Sequence, residues 1–217
     1  MKVDLIDSMG TDDRVVDAAR VSFAKEASNY TPEQNAKLIR YLSTNGHFTP
    51  FTHCTATFRI AAPIFVARQL AKHQVGLSWN EVSRRYVDGP VEFYTPEEWH
   101  GRAPNVKQGS DDAPLAHSGW ISNRIAAYMN DAIAMYEALL RAGVAPEEAR
   151  VVLPLATYTE WYWTGSLAAW ARVCRQRLDP HAQRQTREIA RMIADHCVNI
   201  WPVSWAAVVG IGGQDAS

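Results

Sequence analysis

The chain is short of cysteine: Cys54, Cys174 and Cys197 are the whole complement, an odd number with no CxxC pair and no finger-like spacing. Neither a disulfide framework nor a structural zinc site is expected, and a reducing, cytoplasmic setting fits best. Net charge of either sign is also missing. Against 22 basic residues stand 23 acidic ones, which excludes a broad positive face for nucleic acid or an anionic membrane, so any anion must be met by a local cluster. No apolar run approaches the roughly 18 residues that span a bilayer, and the opening "MKVDLIDSMG" has no apolar h-region. Common catalytic signatures are absent too. There is no HExxH and no carboxylate-rich metal pattern, Ser83 lacks a GxSxG elbow, and the "GIGG" of Gly210 to Gly213 has no βα unit before it. His47 and His53, six apart across a proline-containing turn, share no helix face and make no metal pair.

What the chain does have is apolar mass, 47% of 217 residues, enough for a single domain over 1–217 with a sizeable core. "KVDLID" alternates like a short strand, and "TDDRVVDAARVSF" then turns helical. Thr31, Pro32 and Gln34 make a capping-box start for a helix that closes on Gly46. "HCTATFRIAA" alternates again, after which Pro63 begins the helix "PIFVARQLAKHQ". Residues 118–142 form a long helical pattern stopped by Gly143, "APEEARVVLP" restarts a short one, and Asp179-Pro180 opens a last helix, "PHAQRQTREIARMIADHC". Residues 100–117, "HGRAPNVKQGSDDAPLAH", are rich in loop formers and read as an inserted surface loop. Strands and helices mixed without regular alternation predict an α+β domain.

Polar side chains concentrate in two places. On the helix from Pro63, a spacing of four puts Arg68 with Lys72 and Gln69 with His73 on one stripe, and the loop that follows adds Ser78, Asn80, Glu81, Ser83, Arg84 and Arg85. Hydroxyls beside arginines grip phosphate through charge-assisted and bidentate hydrogen bonds, yet the same residues read equally well as a solvated face and a salt-bridged loop. In "SLAAWARVCRQRLDPHAQ", Arg172 and Arg175 lie three apart on a helix, Arg177 stands where that helix gives out, and His181 falls in the first turn of the next. Such arginines either meet a ligand or complement the helix dipole, the latter worth a few tenths to about 1 kcal/mol. Arg150, flanked by the apolar run of "EARVVLP", is expected to be partly buried and so to need an acceptor or an anion. Arg184, Arg187 and Arg191 share a helical stripe that suits either a subunit interface or water.

Taken in order, "AARVSF", "GHFTPFTH", "APIFVARQ", "NEVSRRY", "EFYTP", "ARVVLPLATYTEWYW" and "RLDPHAQ" resemble the blocks of the flavin-dependent thymidylate synthases, from Met1 to about Trp201. The resemblance implies a homotetramer of α+β subunits with active sites shared between chains. It also implies FAD as cofactor, with dUMP, methylenetetrahydrofolate and NADPH as substrates, and dTMP as product. Position by position, Gln69, Lys72, Glu81, Ser83, Arg84, Arg85 and Arg150 match dUMP-binding residues, and Arg177 matches the arginine that contacts the uracil ring and favours loss of its N3 proton. His47 matches a histidine near the flavin where folate docks, and Ser22, Thr49, His73 and His181 match FAD contacts. The family's Arg-His-Arg signature reads Lys72-His73-Gln74 here, with one extra residue between Val75 and Trp79. Among the flavin-facing positions, Ser166 and Ala168 stand where the family tends to show an amide and an arginine, and Arg172 replaces another amide.

That chemistry needs no enzymic cysteine, because Arg177 beside the ring would stabilise the deprotonated uracil and make its C5 nucleophilic. Two other readings stay open on the sequence. One is a relative placing a different one-carbon group, such as hydroxymethyl, on a pyrimidine nucleotide; the other is a nucleotide-binding protein without flavin chemistry, motivated by Gln74 and Ala168.

Overall fold

Period-two patterning sets the centre of the fold. The computed structural model describes residues 1–87, 89–103 and 109–210, without the side chain of Asp112. Six strands occur among them: β1 (Lys2–Met9), β2 (Thr55–Pro63), β3 (Leu77–Glu81), β4 (His100–Arg102), β5 (Ser110–Pro114) and β6 (Tyr158–Ser166). Four of these form an antiparallel sheet in the order β1-β2-β6-β3, while β4 pairs with β5. Ala56, Phe58, Ile60 and Ala62 alternate inward on β2, and Trp161 and Trp163 do so on β6, with Phe58 opposite Trp163 and Ile60 opposite Trp161. The opposite face stays wet, crossed by the Thr57–Thr164 hydroxyl contact at 2.9 Å and the Arg59–Glu160 pair.

Eight helices accompany the strands among the described residues: α1 (Asp12–Arg20), α2 (Pro32–Thr44), α3 (Ile64–Leu70), α4 (Ser118–Arg141), α5 (Pro146–Ala149), α6 (Leu167–Arg177), α7 (Arg184–Ile200) and α8 (Pro202–Val209). Of these, α1, α2, α6, α7 and α8 supply Val16, Ile39, Val173, Ile193 and Trp205 to the core that covers the buried face of the sheet. Helices gathered on one face of an antiparallel sheet are the expected α+β arrangement, in one domain. Trp170 of α6 meets Phe58 and Trp163 edge to face at 5.0 and 4.9 Å, and Trp79 of β3 stacks on Trp161 at 4.4 Å. Each pair contributes about 0.5–1.5 kcal/mol beyond its buried area. The start of α2 is as the sequence predicts: Thr31 Oγ1 accepts from Gln34 N, and Thr31 N donates to Gln34 Oε1. Among the described residues no helix is long and apolar enough to cross a membrane.

Several boundaries differ from the sequence reading. The helix from Pro63 stops at Leu70, so Lys72, His73 and Gln74 share no helical stripe with Arg68 and Gln69. The amides of Lys72 and His73 reach back only three residues, to Gln69 O and Leu70 O, and Leu77 N then closes a turn onto Gln74 O at 3.2 Å. Gly76 sits in that turn at φ +72°, a conformation glycine adopts without strain. The stretch read as a loop from Ser78 opens as strand β3, with Leu77 and Trp79 turned inward and Ser78 and Asn80 outward. The expected surface loop over 100–117 contains the β4–β5 pair; its residues 104–108 lie outside the described residues, as do 211–213 of "GIGG". The last long helix begins at Arg184 and not at Pro180. Asp179 accounts for this, since its Oδ1 takes the His181 amide at 2.7 Å and its carbonyl the Ala182 amide at 2.9 Å, closing a turn before the helix. Arg150 is exposed, because the short 3₁₀ turn Arg150–Val152 runs along the surface, with Val151 81% exposed. Strand β6 and helix α8 have no counterpart in the sequence reading.

Candidate functional site

Three cavities collect most of the residues singled out in the sequence. Strand β3 leaves the sheet at Glu81 and delivers Ser83, Arg84 and Arg85 to a cavity of about 540 Å³, which Arg150 also lines. Glu81 is fixed at both oxygens, accepting from Trp79 Nε1 at 3.1 Å and Thr159 Oγ1 at 2.7 Å. The Ser83 hydroxyl accepts from Arg85 through its backbone N and its Nε, at 3.3 and 3.1 Å. Arg84 is committed to the loop itself, its two terminal nitrogens donating to Gly89 O and Pro90 O, both at 2.9 Å.

A second cavity, about 920 Å³, lies between the end of α3 and the junction of α6 and α7, lined by Gln69, Arg175, Arg177 and His181. A third, about 460 Å³, is lined by His47, Phe48, Phe51, Val75, Gly76, Ser166, Ala168, Arg172 and Arg175. Arg175 lines both, so they adjoin at α6. In the sequence Arg175 stands out only as part of a stripe, and its spacing of three from Arg172 is the signal available there. The Gly76 turn closes over α6, whose Arg172, in the middle of the helix, donates to Val75 O, while Ser166 caps its start by accepting from Ala169 N at 3.2 Å. Packing there is tight, as a Cβ on Gly165 would lie 2.3 Å from Leu77 Cδ2.

Charge at these walls is unbalanced. Among the described residues none of Arg85, Arg150, Arg172, Arg175 and Arg177 forms an ion pair. A salt-bridged surface loop would pair them, so the salt-bridged half of that reading loses its support, while Arg85, Arg150 and Arg175 stay exposed to solvent. Arg177 donates its Nε to His73 Nε2 at 2.8 Å, and neither of its terminal nitrogens has a hydrogen bond among the described residues. Burial, then the charges of Arg177 and Arg172, lower the pKa of His73 to about 4. The ring is therefore neutral, with Nε2 accepting and the proton on Nδ1. Burial raises all three thiols, Cys54 to about 11 and Cys174 to about 12, and Cys197 further still, so none is a ready nucleophile.

Five of the sequence-predicted residues line none of the three cavities, among them the partly buried His73, which reaches the site only through Arg177. Lys72 and Gln74 are exposed in the turn after α3, Ser22 is exposed in the 3₁₀ turn Val21–Phe23, and Thr49 begins the 3₁₀ turn Thr49–Thr52. The arginine stripe of α7 is split in use: Arg187 donates to Pro180 O at 2.6 Å, bracing the turn before the helix, while Arg191 is exposed.

Known proteins resemble this chain along nearly its whole length. Residues 4–203 match the family model described as thymidylate synthase complementing protein. The flavin-dependent thymidylate synthase of Thermosipho africanus is 40% identical over 194 residues, covering 88% of this chain and 83% of that protein. The enzyme of the same name from Thermus thermophilus is 41% identical over 205 residues, covering 94% and 74%. A crystal structure of the UMP/dUMP methylase PolB from Streptomyces cacaoi, bound with 5-Br dUMP, superposes with a TM-score of 0.88 at 31% identity over 97% of this chain and 95% of that one. A family match over residues 4–203, relatives at about two-fifths identity and a shared fold agree, and the chain belongs to the flavin-dependent thymidylate synthase family.

Proposed function

We propose that this chain catalyses the reductive methylation of dUMP to dTMP, with methylenetetrahydrofolate as carbon donor and FAD, reduced by NADPH, as cofactor. The observation that carries the reading is the set Arg85, Arg150, Arg172, Arg175 and Arg177 around three cavities, none of these five in an ion pair among the described residues. Ser83, Arg85 and Arg150 suit a phosphate monoester, with Glu81 and Arg84 holding the loop that presents them. Gln69 and Arg177 suit the base. Uracil C5 is a weak nucleophile until its ring gains electron density, and Arg177, anchored by His73 through Nε, keeps both terminal nitrogens free to stabilise the N3-deprotonated ring. Ser83 serves as a binding group and not a nucleophile, since its hydroxyl takes two hydrogen bonds from Arg85 and none of its partners is a base.

The phosphate and base groups line different cavities of one chain. This supports a homotetramer in which the clamp of one subunit meets the ring site of another. Exposed apolar side chains beside the clamp, Tyr86 at 78% and Val151 at 81%, suit surface that an assembly covers. In such an assembly Lys72, Gln74, Ser22 and Thr49, which line none of the three cavities within one subunit, are available to a neighbour's site.

The donor set of the 460 Å³ cavity fits FAD. Phe48, Phe51 and Val75 offer apolar wall for a flat ring system, Arg172 and Arg175 offer cations for its phosphates, and Gly76 leaves open the space that a Cβ would fill, 3.3 Å from Ala169 Cβ. His47, Ser166 and Arg172 would hold it, with His73 and His181 nearby. When bound, the flavin supplies the hydride taken from NADPH. The residues of the chain position the substrates and exclude water around them.

The test is a visible spectrum of the purified protein with anaerobic assay of product mass. Flavin absorbance and dTMP are expected from the wild type, and a folded Arg177→Ala variant is expected to lose about 10²–10³-fold in turnover. Absence of both colour and dUMP-dependent NADPH oxidation would refute the reading, and a hydroxymethylated product would redirect it.

A further inference from the structure

Gln69 lines the 920 Å³ cavity from the last turn of α3, and its amide has two chemically opposite ends. The oxygen end is occupied, because Thr186 Oγ1 donates to Gln69 Oε1 at 2.6 Å. Thr186 is fully buried, 0% exposed. It is the third residue of α7, so the residue four before it, Ala182, precedes the helix and offers no helical carbonyl to compete for the hydroxyl proton. Among the described residues Gln69 Nε2 has no hydrogen bond. The amide therefore offers the cavity its two N–H donors, on a wall shared with Arg177, whose guanidinium can only donate.

The cavity wall also holds the carboxylates of Glu98 and Asp179. We propose that Thr186 is a specificity-determining positioning residue: by holding the Gln69 amide with its nitrogen toward the cavity, it makes the Gln69–Arg177 stretch of that wall donor-only, a stretch that accepts the uracil edge and rejects the amino edge of cytosine. The inference rests on the reading of this cavity as the site of the base. Uracil presents acceptors at O2 and O4, and a third at N3 once that proton is lost, all matched by N–H donors. Cytosine presents an amino group at C4, which would face N–H groups and leave donors on both sides without acceptors. A reversed Gln69 amide would accept that amino group, and the buried hydroxyl of Thr186 opposes the reversal.

The experiment measures binding of dUMP and dCMP by calorimetry to the flavin-loaded wild type and to Thr186→Val, Thr186→Ser and Gln69→Glu, with melting curves to establish folding. Valine keeps the shape of threonine and removes the hydroxyl, so the dUMP-over-dCMP affinity ratio should fall about tenfold, and serine, which keeps the hydroxyl, should restore it. Gln69→Glu, which replaces the donor end by an oxygen, should move the ratio toward dCMP even if the valine variant fails to fold. A valine variant that weakens both nucleotides equally, or a glutamate variant with the wild-type ratio, overturns the inference while the proposed function stands. A wild type that binds no dUMP removes the proposed function itself, and this inference with it.

Discussion

His73 should be the sharpest probe of the site. Its ring accepts from Arg177 Nε at 2.8 Å, and its pKa is lowered to about 4 by burial first and then by the charges of Arg177 and Arg172. In the unfolded chain the same ring titrates near 6.5. The folded state therefore favours the neutral ring. Above about pH 6.5 both states are unprotonated and the site costs nothing; as pH falls from 6.5 toward 4 the unfolded chain takes up a proton that the folded one refuses, and stability drops. The full difference is about 3 kcal/mol at pH 4. The ring is only partly buried, and screening by solvent reduces the expected loss to about 1–2 kcal/mol. Denaturant unfolding of wild type and His73→Asn across pH 4–7, taken as the difference between the two proteins, isolates this contribution from that of the carboxylates. NMR titration of the ring gives the pKa directly, and saturation with dUMP should raise it, because an anion beside Arg177 cancels part of the charge that depresses it. A ring titrating near 6.5 in the folded protein, or a stability difference flat between pH 4 and 7, would refute the coupling of His73 to Arg177.

Arg85→Ala should weaken dUMP binding about 10–100-fold and leave deoxyuridine unaffected, because the guanidinium it removes serves the phosphate through charge-assisted hydrogen bonds; equal weakening of both would remove Arg85 from the clamp. Arg84→Ala should instead raise proteolytic cleavage around residues 83–90, since both its terminal nitrogens hold the carbonyls of Gly89 and Pro90. Gly165→Ala should cost about 1–3 kcal/mol in denaturant unfolding, as its Cβ would meet Leu77 Cδ2 at 2.3 Å and Gly76 O at 3.3 Å; an unchanged midpoint would show that β3 shifts freely.

Where a signal is local, the sequence carries it. The capping box of Thr31 and Gln34 and the alternation through Phe58 and Ile60 each depend on neighbours a few residues away, and both elements form as read. The end of α3 is harder, because Ala71, Lys72 and His73 are compatible with helix and the stop comes from a turn that only Gly76, further on, permits. Strand β3 has its period-two pattern in Leu77 and Trp79, obscured by the charged residues that follow. Arg150 looks buried in the sequence because its neighbours are apolar, yet Val151 is itself on the surface. Nothing local announces the contact of His73 with Arg177, 104 residues apart, or of Gln69 with Thr186, 117 apart. Those pairs exist because β3 lies beside β6, α6 follows β6, and α7 returns against α3.

The same geometry explains which positions of the signature triplet could change. Lys72 and Gln74 are exposed, and neither side chain makes a hydrogen bond among the described residues. Within one subunit, replacing an arginine fork by an ammonium or an amide at those two places breaks nothing. His73 is the inward member, and it holds the arginine proposed to stabilise the uracil ring. A cation missing at position 74 still has to be supplied to a flavin's phosphates, and Ala168, which also lines the cavity, cannot supply it. Arg172 can: it stands where the family tends to show an amide, lines the same cavity, and is tied to Val75 O in the turn next to Gln74. On the reading proposed above, the charge of this half-site is thus carried by α6, a rigid element packed in the core, and the turn with its extra residue is held to that element by the contact of Arg172 with Val75 O.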